Sequence, residues 1–270
     1  FLLLHTYEVH SPYEPPGYEE LAGERIEVLG GHAPEPNVFN HLHPDGPPAE
    51  VIELLEELYD AGVRYTDRVL GRFLVEELGG PGTVIAVTSD HGEEFGEHGL
   101  LGHGDTLYAE ELHVPLVLRL ARGERGGQRS SEPVSHIDLA PTLLDALGLP
   151  GVGGSERFVG RSVLTGLPSP LYATRNSAEA GMLRSLRSGS YHAIRGTYYL
   201  PRSGDGDELY DLDADPTERT DLWPGDRADE RHGRVWKRFD DLSHGYDQER
   251  GLPGGVVTDP RVRQSLEGLG

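Results

Sequence analysis

Seven residues, Thr83 to Ser89 (TVIAVTS), sit between the helix breakers Gly79-Gly80-Pro81-Gly82 and a loop crowded with His, Asp, Glu and Gly. The run is β-branched and uncharged, so it is expected to form a strand inside a sheet. Its continuous apolar character, without polar alternation, predicts a central parallel strand covered on both faces. Upstream, Pro47-Pro48 opens a segment in which Val51, Leu55, Leu58, Tyr65, Val69 and Phe73 recur at helical spacing. That stripe predicts a long amphipathic helix lying on the sheet and ending at Gly79. Leu54, Leu58 and Tyr65 are assigned to the core. Val114 to Leu120 predicts another strand, and Ile137 to Leu147 a helix closed by Gly148 and Pro150. Helix, strand, loop, strand and helix in this order argue for an α/β fold with a mostly parallel central sheet flanked by helices.

Phe1 to His5 is a short apolar run that reads as a buried strand delivering polar residues to a loop. Thr6 to Pro48 is rich in Pro, Gly and His, and Pro12, Pro15 and Pro16 argue against regular helix there. This stretch is expected to be a long functional loop. Beyond about residue 168 the pattern changes to short strand candidates: Pro170 to Thr174, Tyr191 to Arg195, Thr197 to Leu200 and Glu208 to Leu212. Antiparallel pairing is expected, followed by a helix from about Ala228 to Leu242. The sequence therefore divides into residues 1–167, part of an α/β catalytic domain, and residues 168–270, a smaller C-terminal α+β unit with an antiparallel sheet. Gly251 to Gly255 looks like low complexity.

The 270 residues carry a formal net charge of −22. Such a field repels phosphate backbones and anionic lipid surfaces, which argues against nucleic-acid or membrane-surface binding. An anionic substrate must then be drawn in by a local positive site, for which a bound metal ion is the usual means. With no cysteine there is no disulfide, thiolate ligand or Cys nucleophile, and the redox compartment is unread. No apolar run approaches the roughly 18 residues of a spanning helix. The sequence starts without Met and reads as a piece of a longer reading frame. A signal or anchor would lie upstream of Phe1, and a periplasmic or extracellular home is compatible with the residues present. Oligomeric state is not legible.

The chemistry concentrates in Ser89 to Leu107 (SDHGEEFGEHGLLGHGDTL), which places Asp90, His91, Glu93, Glu94, Glu97, His98, His103 and Asp105 in one Gly-rich loop after the strand. In open α/β sheets ligands bind outside the carboxyl ends of strands. Asp90 and His91 are the first polar side chains there, and an oxygen plus an imidazole nitrogen can ligate a divalent cation. The glycines let the backbone turn close to a bound anion. A zinc site built from His91, His98 and His103 is an alternative, although the helical HExxH spacing is absent. Elsewhere the bland reading prevails. Asp138 is expected to cap or orient its helix, the scattered Glu and Asp to form a solvated face, and Glu208 to Leu222 to form a hairpin and its exit loop.

Thr88-Ser89-Asp90-His91-Gly92-Glu93, then Gly96-Glu97-His98-Gly99, Gly102-His103-Gly104, Tyr108 and His113-Val114-Pro115 resemble the sulfatase family of the alkaline phosphatase superfamily. So do Phe1 to Tyr13 (FLLLHTYEVHSPY), Ser135 to Leu144 (SHIDLAPTLL) and Glu208 to Leu222 (ELYDLDADPTERTDL), in the same order along residues 1–222. The resemblance implies a metal-dependent hydrolase of sulfate esters, small-molecule or glycan. It makes Asp90 and His91 half of a site for one divalent cation, usually calcium, with manganese or zinc as alternatives because His91 stands where some relatives have Asn. It further implies that His10 is a substrate-binding and acid–base histidine and that His103 contacts the sulfate and helps protonate the leaving oxygen. His5 and His98 are weaker substrate-binding candidates. The family's nucleophile is a formylglycine made from a Cys/Ser-x-Pro-x-Arg motif that this sequence lacks, as it lacks the family's N-terminal Asp pair. The chain by itself is accordingly expected to be the C-terminal part of such an enzyme and inactive alone. The motifs present do not separate sulfuryl from phosphoryl transfer, so a phosphodiesterase, a phosphonate monoester hydrolase or a phosphoethanolamine transferase is the second enzyme reading. A non-catalytic metal- or partner-binding module is the reading from another class.

Overall fold

The computed structural model describes residues 1–23, 25, 36, 39–40, 45–149, 160–165, 170–177, 181–196, 206–223 and 230–250. The expected strand Thr197 to Leu200 and the low-complexity stretch Gly251 to Gly255 lie outside these residues.

A short helix α1 (Tyr18–Ala22) interrupts the region expected to be all loop. The Pro cluster stops at Pro16, and Tyr18 to Ala22 contains nothing that opposes a helical turn. Helix α2 (Ala49–Glu76) begins where the Pro47-Pro48 pair predicts. Its first half supplies Val51, Leu54, Leu55 and Leu58 to a core with Tyr13, Ala22 and Leu101, joined by Phe39, Tyr59 and Phe95. Its second half is less covered, and Val63, Val69 and Val75 are exposed. Arg119 closes the helix end by donating to the carbonyls of Leu78, Gly79 and Gly80 at 3.3, 2.9 and 3.1 Å. These carbonyls belong to the turn just past the helix and its cap, so the guanidinium holds that turn and stands where a cation suits the helix dipole.

The strand after the glycines is β1 (Ile85–Thr88). Its partner is β4 (Leu116–Arg119), and the pairing is antiparallel, with Val87 opposite Val117. The parallel central sheet expected from sequence is thus not what the described residues form, and Val87 and Val117 are exposed rather than covered. An apolar run reports that a strand suits a covered surface, but it carries no information on the direction of its neighbour. Phe1 to His5 is likewise exposed and takes part in no ladder among the described residues, against the expectation of a buried strand. Between β1 and β4 lie the hairpin strands β2 (Glu94–Phe95) and β3 (Leu101–Gly102) and the single-turn helix α3 (Ala109–Leu112).

Ser135 and Asp138 form a reciprocal capping box at the 3-10 turn His136–Asp138, and helix α4 (Leu139–Ala146) follows. Asp138 also accepts from the Arg161 backbone N–H at 2.8 Å, in keeping with a structural role.

From residue 171 the strands are β5 (Leu171–Ser177), β6 (Gly181–Ser188), β7 (Tyr191–Gly196) and β8 (Glu208–Asp211), an antiparallel meander in the order β5-β6-β7-β8. β6 was not expected, because its arginines and serines interrupt the apolar alternation. Period-2 side-chain alternation gives the sheet two covered faces. Leu186, Ala193 and Leu209 meet Val235, Trp236 and Phe239 of helix α5 (Glu230–Arg250). On the opposite face Leu183, Ile194 and Tyr210 meet Leu107 and Tyr108. The sheet is therefore the floor under the segment that follows the Gly-rich loop.

Leu58 is fully buried at the centre of the α2 core. Leu58→Ala is expected to destabilise the protein by about 2–5 kcal/mol, read as a lower urea midpoint at unchanged m-value.

Candidate functional site

Three histidines from two loops converge beside the carboxyl end of β1. The His91 and His103 rings stack with centroids 3.8 Å apart, and His10 stands edge-on to both, at 6.4 Å from His91 and 5.0 Å from His103. His10 reaches this place because the chain at Glu8 and Val9 runs against α2 at Gly62, where an added Cβ would stand 3.4 Å from the Glu8 carbonyl. His5 and Tyr7 continue the cluster outward, with ring centroids of 4.6 Å for His5–Tyr7 and 5.6 Å for Tyr7–His10.

Carbonyl groups fix the tautomer of two of these rings. His91 Nδ1 lies 2.7 Å from the Gly92 carbonyl, and His10 Nδ1 lies 2.7 Å from the Ser11 carbonyl. A carbonyl can only accept, so each Nδ1 carries a hydrogen, and in the neutral ring it is Nε2 that has the lone pair. His91 Nε2 is 3.8 Å from Asp90 Oδ1. Donor atoms about 2.1–2.5 Å from one ion can be up to roughly 4–5 Å apart, so both can hold the same cation. Among the described residues no third His or carboxylate completes a group with them. Calcium takes about six to eight oxygens, so Asp90 and His91 fit as part of such a site and not as all of it. Desolvation opposes ionisation of Asp90, but His91, the backbone N–H groups of Asp90 and His91, and His5 together hold its carboxyl below the usual range.

His103 is different. Its Nδ1 donates to Glu93 Oε1 at 2.7 Å, and that hydrogen bond raises its pKa above the ordinary histidine value, against the opposing effect of burial. Glu93, Glu111 and Asp90 add to the rise through their charge. The loop carrying His103 is itself hung from a buried carboxylate. Glu111 accepts from the backbone N–H groups of Gly104 and Thr106 at 2.8 and 3.0 Å and from the Thr106 hydroxyl at 2.7 Å. At the other end of the hairpin Glu94 accepts from the N–H groups of His98 and Leu100.

Gly92 sets the approach of the loop to α3. Its N–H donates to the Glu111 carbonyl at 2.7 Å, and the next N–H, of Glu93, donates to the Glu110 carbonyl at 3.0 Å. A Cβ at residue 92 would stand 1.9 Å from the Glu110 carbonyl oxygen. The glycine is thus required by backbone packing, whereas the sequence suggested a role in approaching a bound anion.

The structure brings together His10, His91 and His103, next to Asp90, with His5 at the rim. His98 is placed otherwise. Its ring stacks flat on Tyr108 at 3.7 Å and its Nε2 faces Glu110 at 3.4 Å, both deep in the protein. The alternative zinc site from His91, His98 and His103 is not formed, since these three do not gather their nitrogens within 4.8 Å. The expectation that the acidic residues form a solvated face also needs correction, because Glu94, Glu111, Glu208 and Glu218 are buried. Each accepts hydrogen bonds that replace water. Glu208, for example, takes the hydroxyls of Tyr108 and Tyr210 at 2.8 and 2.7 Å. Glu93 lies in the loop that the sequence marks out, but nothing there assigns it to His103, and Glu111, in α3, carries no sequence signal of its role.

A model of the sulfatase family matches residues 1–149. Over 191 residues the chain is 29% identical to arylsulfatase K of Canis lupus familiaris, covering 63% of this chain and 34% of that protein. Over 224 residues it is 26% identical to the Delta 4,5-hexuronate-2-O-sulfatase of Bacteroides thetaiotaomicron, covering 76% of this chain and 43% of that one. Among solved structures, a protein in complex with its substrate D-glucosamine-2-N,6-O-disulfate superposes with a TM-score of 0.59 at 21% identity over 83% of this chain and 48% of that one. A 2-O GAG sulfatase superposes with a TM-score of 0.55 at 23% identity, over 79% and 47%. These structures establish likeness of fold, and the chain spans about half of their length or less.

Glu93→Gln is expected to lower the His103 pKa, measured by the pH dependence of its imidazole NMR signals. Because the folded-state pKa is raised, the stabilisation from this pair is full below the unfolded value of about 6.5 and is lost as pH rises through the folded one. The stability difference between wild type and Glu93→Gln should therefore shrink on the alkaline side. Gly92→Ala should displace the loop from α3 and disorder the His91–His103 stack, seen as shifted imidazole resonances, while Gly82→Ala, with open space around it and no left-handed backbone angle, should leave the α3 contact in place.

The match over residues 1–149 covers more than half of the sequence and carries the histidine–aspartate loop with it, so the chain belongs to the sulfatase family.

Proposed function

We propose that the protein of which this chain is part hydrolyses a sulfate ester, and that these residues supply one wall of its active site. The observation that carries the reading is the convergence of His10, His91 and His103 beside Asp90, which groups imidazoles with a carboxylate able to take a cation, in a chain of net charge −22. Asp90 Oδ1 and His91 Nε2 would hold one divalent cation, calcium by family resemblance or manganese or zinc by the imidazole donor. When bound, that ion lowers the pKa of the nucleophile and offsets charge on the ester oxygens. The remaining ligands and the formylglycine nucleophile are assigned to the part of the relatives that this chain does not span. Strands from the same part are assigned to cover β1 and β4 and to pair with Phe1 to His5, completing a mostly parallel sheet.

The chain's own residues divide the remaining work. His103, whose pKa is raised by its hydrogen bond to Glu93, binds an ester oxygen and delivers a proton to the departing alkoxide. His10, its Nδ1 held by the Ser11 carbonyl, turns Nε2 to the substrate and acts in acid–base exchange. His5 flanks the entrance beside Tyr7. The Glu111 hooks keep the His103 loop from moving when the anion enters. The substrate class is a sulfated small molecule or glycan. The Delta 4,5-hexuronate-2-O-sulfatase and the N-acetylglucosamine-6-O-sulfatase among its relatives, whose names specify sulfated sugars, favour the glycan.

In the full-length protein Asp90→Ala or His91→Ala is expected to reduce metal-dependent arylsulfate hydrolysis by at least about 100-fold, and His103→Ala to lower kcat by roughly 10²–10⁴-fold. Parallel assay on a sulfate monoester and on phosphate mono- and diesters decides the reaction class. Faster turnover of a phosphate ester would move the assignment to phosphoryl transfer on the same fold, and full activity of the Asp90→Ala variant would remove the metal from the mechanism.

A further inference from the structure

Away from the histidine corner, His98, Glu110 and Glu218 bring an imidazole nitrogen and two carboxylate oxygens within 4.8 Å of one another. They come from three separate elements: the β2–β3 turn, helix α3 and the loop after β8. The His98 side chain is 8% exposed and that of Glu110 16%, and Glu218 is buried. His98 Nε2 and Glu110 Oε2 are 3.4 Å apart, too far for a well-formed hydrogen bond, and neither atom has a hydrogen-bond partner elsewhere. At that distance the two buried atoms attract each other only weakly, as an ion pair when the ring is protonated, so both have lost water and keep the capacity to bind a further group.

The spacing is that of two ligands on one ion. Around a tetrahedral zinc with bonds of about 2.0–2.2 Å, neighbouring donor atoms are roughly 3.3–3.5 Å apart. The donors are also held in place beforehand. Tyr108 lies flat on the His98 ring at 3.7 Å, and the His98 backbone N–H is fixed by Glu94. Glu218 accepts from the Ala109 N–H at 2.7 Å and from the His192 ring, an outer hydrogen bond of the kind that orients a ligating carboxylate. Glu218 holds this position at a left-handed backbone angle of φ 54°, a conformation uncommon for a residue with a side chain.

We propose that His98, Glu110 and Glu218 form a second, structural metal site for a divalent transition-metal ion, zinc or manganese in class, which ties the Gly-rich loop and α3 to the C-terminal sheet. One imidazole and two carboxylates suit these ions and neutralise the two buried negative charges. The site is independent of Asp90 and His91, and it does not depend on which ester the protein cleaves.

The test uses the 270-residue chain, stripped with a chelator and titrated with Zn2+ and separately Mn2+. Metal per chain is read by mass spectrometry after desalting, and thermal stability is read alongside. An Asp90→Ala/His91→Ala double variant should still retain one ion, and saturation at about 100 times Kd should raise its Tm by roughly 5 °C or more. His98→Gln and Glu110→Gln should each lose at least tenfold in affinity together with the Tm response. Far-UV circular dichroism of the metal-free variants establishes that they fold, and Glu110→Gln, nearly isosteric, decides the matter should His98→Gln not fold. Loss of all bound metal in the Asp90/His91 variant, equal retention in wild type, His98→Gln and Glu110→Gln, or no binding by wild type would each overturn the proposal.

Discussion

Backbone N–H groups held by buried carboxylates are the constraint on which the site depends. The segment from Ser89 to Tyr108 has only two-residue strands of its own, so most of its amides cannot be satisfied by regular structure. Glu94 and Glu111 take that role inside the loop, and Glu218 takes it for Ala109 at the start of α3. A charged acceptor on a backbone donor forms a stronger hydrogen bond than a neutral one. The arrangement also exploits glycine, which turns tightly between the hooks and lets Gly92 pass against the Glu110 carbonyl.

This design separates two uses of acid. Carboxylates that hold amides are buried and lie behind the histidines, whereas Asp90 is exposed at the front and shares its surroundings with His91. Glu93 stands between the two groups, buried itself but committed to His103 rather than to the backbone. The His103 ring is therefore backed by the negative charge of Glu93 and Glu111, which favours its protonated form, while Asp90 beside the cluster is exposed. The C-terminal sheet completes the support through the Tyr108–Glu208–Tyr210 hydrogen bonds and the apolar contacts of Leu107 and Tyr108 beneath them.

Much of this was legible from sequence, for physical reasons that differ by element. Helix α2, the strand after Gly79 to Gly82 and the capping role of Asp138 follow from periodicity, breakers and capping chemistry, all of which are local. The grouping of His10 with His91 and His103 came from resemblance, since residue 10 and residue 103 are brought together only by the packing of Glu8 and Val9 on Gly62. The direction of β1, the exposure of Phe1 to His5 and the burial of Glu111 and Glu218 are properties of neighbours. A carboxylate that will hold two amides looks the same in sequence as one that faces water. β6 shows no period-2 pattern because Arg184 and Arg187, three residues apart, put one arginine on each face of a sheet whose two faces are both partly covered.

The ribbon of β1 and β4 has a colloidal consequence. Among the described residues it is two strands wide, so each strand offers an outer row of unpaired N–H and C=O groups beside the exposed Val87 and Val117. Such an edge is a template for a second chain, and nothing in its own side chains resists pairing strongly. Copies of the chain repel one another, since each has a formal net charge of −22. That repulsion reaches only about 8 Å at physiological ionic strength and roughly 3 Å in molar salt. For this chain, salt is therefore a handle on self-association, acting at a surface remote in character from the histidine corner.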